Sequence, residues 1–210
     1  MDREQSWHAI TEQRLTLATL LEPLTAEQWA APSLCAGWRV RDVAAHVAMA
    51  PQVPGLGSML ADAARARGSF HRLNHDVAVR HAESRSVARL VAELRDHAES
   101  RRLPVVTNYR NILFDVLVHG QDIALPLGLD LAVRPEVAVA GAARVWSMGW
   151  PFWARRRLRG LRLEATDAEW AAGAGDAVRG PAVALLLLLT GRTGAALPRL
   201  GGPGVGRLSA

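Results

Sequence analysis

A chain of 210 residues, half of them apolar and 21% charged, has the composition of one globular domain with a small appendage. A disordered chain is excluded, since that needs low hydrophobicity and high net charge. The formal charge of +5 suggests a nucleic-acid binder, but all 25 basic residues are arginine, which reads as the codon bias of a GC-rich genome.

In chain order, residues 4–24 have the apolar spacing of an amphipathic helix, with Trp7, Ile10, Leu17, Leu21 and Leu24 on one side. Pro23 and the Leu-Thr-Ala-Glu-Gln-Trp stretch are expected to turn the chain, and 31–38 reads as a loop by its proline and glycine. A second helix is predicted over about 39–50, with Asp42 in its first turn where the helix dipole favours an acid. Residues 58–82 are ambiguous, polar and rich in arginine and histidine. Helices follow over 84–100, 108–125 and 136–153, separated by Pro104 and by Pro126 and Gly128.

Arg155, Arg156 and Arg157, with Arg159 and Arg162, form the densest basic cluster. Without aromatic interleaving for base stacking it reads as a solvated linker, so no nucleic-acid partner is expected. Residues 160–165 alternate like a strand, 166–169 turn, and 170–174 complete a hairpin. A short helix over 181–190 starts on Pro181, and a glycine-rich tail closes the chain. The architecture expected is mainly α: a helical bundle over residues 1–155, then a small α/β unit over 156–210.

The longest apolar run, Ala182–Leu189, is far short of the roughly 20 residues that span a bilayer. The opening Met-Asp-Arg-Glu-Gln has no apolar stretch of the signal-peptide kind, so a cytoplasmic protein without membrane contact is expected.

Chemistry concentrates in Asn111-Ile-Leu-Phe-Asp115-Val-Leu-Val-His119-Gly-Gln-Asp122. As a helix it is apolar on nearly every side and therefore buried, while Asp115, His119 and Asp122 fall within roughly 60° on the wheel. An acid and an imidazole buried there must be compensated, by each other or by a cation. His46, also set among apolar residues, offers a further ligand. Two histidines and a carboxylate with open positions make a common catalytic metal set. Asp42 or Asp122 could accept the other ring N–H of a ligating histidine. Other readings stay open: His46 as a hydrogen-bonded core histidine, and Asp115–His119 as an i, i+4 pair.

His71 and His75, one turn apart, and His81 have polar neighbours and read as solvated. Cys35 is the one cysteine, which excludes an internal disulfide and a zinc site built on several thiolates. Any metal is therefore expected on histidine and carboxylate. No histidine is placed in sequence to activate Cys35. A Gly-x-Ser-x-Gly elbow and a phosphate-binding glycine loop are both absent.

Three blocks carry a resemblance. Leu24-Thr-Ala-Glu-Gln-Trp-Ala-Ala-Pro-Ser-Leu-Cys-Ala-Gly-Trp-Arg-Val-Arg-Asp-Val-Ala-Ala-His46 resembles the opening of the mycothiol-dependent maleylpyruvate isomerase family, within the DinB-like superfamily. Asp115-x-x-x-His119-x-x-Asp122 is similar to that family's acid-x-x-x-His-x-x-Asp helix. Residues 160–170, with Arg179-Gly-Pro-Ala and Thr190-Gly-Arg192, look like its small C-terminal domain. The resemblance implies a DinB-like up-and-down bundle holding a divalent metal, usually zinc, through His46, Asp115 and His119.

It also implies mycothiol as cofactor or co-substrate, held at the metal as thiolate, and a small electrophilic substrate that is isomerised or captured by S-transfer. An arginine of the C-terminal part would hold the substrate's anionic group, and Arg192 is the candidate. The characterised isomerase carries glutamate where this chain has Asp115, which is one methylene shorter. Two alternatives remain: a metal-dependent hydrolase on the same bundle, and a non-catalytic metal-binding or regulatory protein.

Overall fold

The computed structural model describes residues 1–52, 69–103 and 107–208, with the backbone alone at 70 and 71. Residues 58–68 of the ambiguous stretch, the proline break at 104 and the side chain of His71 lie outside the described residues. The elements are α1 (Arg3–Leu21), α2 (Ala26–Ala30), α3 (Val40–Met49), α4 (Phe70–Glu83), α5 (Val87–Asp96), α6 (Tyr109–Ala124), α7 (Pro135–Ser147) and α8 (Ala154–Arg157). They continue with β1 (Leu161–Ala165), β2 (Ala171–Gly173), β3 (Asp176–Gly180), α9 (Ala182–Leu189) and α10 (Thr193–Ala196). The protein is mainly helical with one small sheet. Among the described residues no helix is long and apolar enough to cross a membrane.

By packing, the chain forms two compact units, one of residues 7–109 and 119–131, the other of 1–6, 110–118 and 132–210. The boundary expected at residue 155 falls inside the second of these. The reason is α9: all eight of its side chains, Ala-Val-Ala-Leu-Leu-Leu-Leu-Leu, are buried, so it needs an apolar partner along its length. Helix α7 supplies one, with Ala138, Gly141, Ala142 and Val145 buried. A Cβ at Gly141 would stand 3.2 Å from the Leu186 side chain and 3.3 Å from Phe114 Cβ, so the small residue permits close approach. That helix stops at Ser147 instead of running on to Trp153. Gly149 and Pro151 follow, and Trp153 takes a left-handed conformation at φ 48°.

The expected hairpin is present, with β1 antiparallel to β2, but a third strand was not foreseen. β3 runs parallel to β1 on its other edge, pairing Leu163 with Val178, and the strand order is β2-β1-β3. The link from β2 to β3 crosses the start of β1 so tightly that a side chain at Gly173 would collide with the Leu161 carbonyl. One at Gly175 would meet the Gly160 carbonyl, and both glycines have positive φ. The arginine cluster is also more than a solvated linker. Arg157 donates to the Leu188 and Leu189 carbonyls at the end of α9 (3.2 and 2.9 Å), and burial lowers its pKa. Arg155 donates to the Trp146 carbonyl and lies over that indole.

In the other unit, α3 packs on α4 and α5. The stretch expected as a turn holds α2, started by a capping box in which Thr25 and Gln28 satisfy each other's backbone N–H groups. Arg14 on α1 is almost wholly buried and donates to the carbonyls of His97, Ala98 and Ser100, acceptors past the end of α5. Arg14→Met keeps the aliphatic bulk but removes the charged donor shared by these carbonyls, of which His97 keeps a backbone donor, from Ser100. Urea unfolding is expected to show a loss of about 3 kcal/mol, the size of charge-assisted hydrogen bonds lost in the interior.

Candidate metal centre

Helix α6 explains why ionisable groups survive in the interior. Ile112, Leu113, Phe114, Val116, Leu117, Val118 and Ile123 are buried, whereas Asn111, Asp115 and His119 form a half-buried stripe at i, i+4, i+8. His46 is likewise half-buried, while Val43, Ala44, Ala45 and Val47 around it on α3 are buried. The His46 and His119 rings meet edge to face with centroids 4.8 Å apart. Asp115 stands one turn before His119 on the same continuous helix, and ligand atoms of His46, Asp115 and His119 all lie within 4.8 Å of one another.

The His119 ring is oriented from behind. Its Nδ1 lies 2.9 Å from Oδ2 of Asp122, a carboxylate with no exposed surface, which accepts from the ring in the tautomer that carries the proton on Nδ1. That tautomer leaves the lone pair on Nε2, the arrangement metal-binding histidines use. Asp42 does not share this task. Its oxygens accept from the Arg39 backbone N–H, Nε and Nη2, each at 2.9 Å, so it caps α3 instead of orienting His46. Burial alone would raise the Asp42 pKa. Hydrogen bonds from Arg39, with the charges of Arg39 and His75, outweigh that and hold it below the usual carboxylate value.

Sequence reasoning missed Trp38, Cys35 and His75. Trp38 stacks parallel to the His119 ring (interplanar 5°, centroids 6.5 Å apart) and meets His46 and His75 edge-on at 5.6 and 6.0 Å. It is thus a wall shared by three histidines, and His75 belongs beside the site instead of being merely solvated. The Cys35 sulfur lies 3.0 Å from Asp122 Oδ2 and 3.7 Å from His119 Nδ1, so the histidine that chain order did not supply is supplied by folding.

The loop 31–38 brings both residues there by local and distant bonds. Ser33 Oγ accepts from the Cys35 N–H and donates to the Trp38 carbonyl, the Trp38 N–H bonds the Cys35 carbonyl, and the Leu34 N–H reaches the Asp122 carbonyl on α6. Gly37, at φ 79°, makes the tight turn. Arg192 begins α10 and its guanidinium donates to the Thr190 carbonyl at 2.9 Å.

Comparison with known proteins gives the family and the fold. Residues 10–124 match the family described as the mycothiol maleylpyruvate isomerase N-terminal domain. Two solved structures share the fold: the crystal structure of the mycothiol-dependent maleylpyruvate isomerase and that of a histidine-to-alanine mutant of it. Each aligns over 97% of this chain and 93% of its own, at 17% identity and a TM-score of 0.54. Comparison with curated proteins gives no significant match.

Proposed function

This chain belongs to the mycothiol maleylpyruvate isomerase N-terminal domain family, and from that premise we propose that it is a divalent-metal-dependent enzyme, with mycothiol as cofactor or co-substrate and a small electrophilic substrate. The reaction is isomerisation or S-transfer. The observation that carries the reading is the convergence of His46, Asp115 and His119, with His119 Nδ1 held by the buried Asp122. Two imidazoles and one carboxylate suit zinc, and three protein ligands leave a position for an exogenous donor.

When bound there, a divalent ion lowers the pKa of a thiol sulfur and favours the thiolate. The chain's own residues do the rest. Asp122 fixes the His119 tautomer, Trp38 fixes the planes of the His46 and His119 rings, and the buried apolar faces of α3 and α6 limit water around them. Arg192 is assigned to the anionic group of the substrate, for which a guanidinium fork is well shaped. In isomerisation the thiolate adds to a conjugated double bond, rotation follows, and the same thiolate leaves, so the thiol is regenerated. In S-transfer the new carbon–sulfur bond is kept and the adduct carbon takes a proton. The protein would work in the cytoplasm, where low-molecular-weight thiols stay reduced.

Thermal unfolding of the metal-replete protein tests this. Mycothiol at about 100 times its dissociation constant is expected to raise Tm by roughly 5–10 °C, from about 2.7 kcal/mol of linkage, and the rise is expected to vanish after chelation. A stoichiometric metal with no thiol-dependent shift would overturn the thiol chemistry in favour of hydrolysis. Absence of bound metal from the purified protein would overturn the enzyme reading.

A further inference from the structure

We propose that Cys35, Asp122 and Nδ1 of His119 form a second cation site, selective for thiophilic divalent metals, whose occupation excludes metal from the His46–Asp115–His119 set. The three donor atoms already surround one point. Sγ to Oδ2 is 3.0 Å, Nδ1 to Oδ2 is 2.9 Å and Sγ to Nδ1 is 3.7 Å. A tetrahedral ion with bonds of about 2.0–2.3 Å holds its ligand atoms roughly 3.3–3.6 Å apart. The shorter two separations are those of groups sharing protons, and they need to open by only about half an ångström when an ion replaces the protons.

Charge points the same way. A thiolate and a carboxylate together neutralise a dication, whereas the first set contributes one negative charge through Asp115. For an ion beside the buried Asp122, neutrality matters more than ligand count. Thiolate in the donor set selects softer ions than imidazole and carboxylate alone. Cys35 is half-buried, so an ion has access from its side.

Mutual exclusion follows from the imidazole. A neutral ring has one lone pair. With the proton on Nδ1, directed at Asp122, the lone pair is on Nε2 and serves the first set. With Nδ1 ligated, the proton sits on Nε2 and the first set loses one of its two histidines. Under this proposal a metal is not confined to histidine and carboxylate. One thiolate suffices when folding places an acid and an imidazole beside it.

Cadmium titration of the chelator-stripped full chain, followed by the ultraviolet sulfur-to-cadmium charge-transfer band, tests the proposal. The wild type is expected to develop the band with saturation at one equivalent. Cys35→Ser is expected to lose the band and bind Cd²⁺ at least about 100-fold more weakly at this site, while still taking up Zn²⁺ at the first set. His46→Ala is expected to keep the band, which separates this proposal from the first set and from the proposed function. Cadmium-loaded wild type is expected to bind Zn²⁺ at least about 100-fold more weakly than stripped protein.

No band in the wild type, or an undiminished band in Cys35→Ser, overturns the second site. Loss of the band in His46→Ala shows the thiol to be a ligand of the first set and overturns its separateness. Simultaneous tight binding of both ions overturns the exclusion.

Discussion

His119→Ala is expected to leave the protein without stoichiometric metal and without thiol-dependent turnover, because this one ring serves both donor sets. Elemental analysis after dialysis against Zn²⁺ should fall from about one ion per chain to a trace, with affinity reduced by more than the ~10–100-fold that loss of an orienting partner costs. Asp122→Asn supplies that milder comparison. It keeps the volume but removes the carboxylate that holds Nδ1, and a 10–100-fold weakening is expected there, of order 1.4–2.7 kcal/mol.

The fold is expected to survive His119→Ala, since the ring lies at the edge of the interior, 15% exposed, and its packing on Trp38 accounts for about 1 kcal/mol. Far-ultraviolet circular dichroism should be unchanged while metal is lost. Retention of one tightly held zinc per chain would remove the proposed centre altogether.

The second large effect lies away from the site, at Glu93. This side chain is almost wholly buried and accepts from His81 Nε2 (2.7 Å), Arg85 Nε (3.0 Å), Arg89 Nε (3.3 Å) and Gln52 Nε2 (3.2 Å), joining α4, α5 and the end of α3. Burial alone would raise its pKa, but the hydrogen bonds from His81, Arg85 and Gln52, with the His81 charge, pull it from 4.5 down to about 2. A carboxylate whose folded pKa lies below its unfolded one stabilises fully above the unfolded value. That stabilisation is lost as pH falls from about 4.5 towards 2, and it amounts to no more than about 3 kcal/mol.

Glu93→Gln is expected to cost about 3 kcal/mol at pH 7, the lower end for breaking a buried ion pair, because Arg85 and Arg89 remain partly in water. Tm should drop by roughly 6–12 °C. The difference between wild type and variant should shrink as denaturation is repeated from pH 5 down to pH 3. Parallel stability profiles over that range would show that the Glu93 charge is not what holds α4 to α5.

Local pattern carried the sequence reading furthest on α6. An apolar helix interrupted at 115, 119 and 122 states its own burial, and helical spacing alone puts the three polar groups on one side. His46 among apolar residues of α3 was legible for the same reason, and the order of the three motif blocks pointed to the family. The α2 segment reads as a turn from its sequence, although Thr25-Ala-Glu-Gln28 is a capping box at its proper spacing.

Tertiary structure alone decided how those stretches meet. Asp42 looked as suited as Asp122 to orient a ring, but Arg39 lies within reach of Asp42 on three donors and takes it. Cys35 looked unactivated because the histidine and acid beside it are far away in sequence, and a bond between the Leu34 N–H and the Asp122 carbonyl closes that separation. Periodicity reports which face of a helix is apolar. It does not report which partner covers that face or how a loop is folded back by a distant carbonyl, and those two facts place Trp38 and Cys35 beside the histidines and α9 on α7.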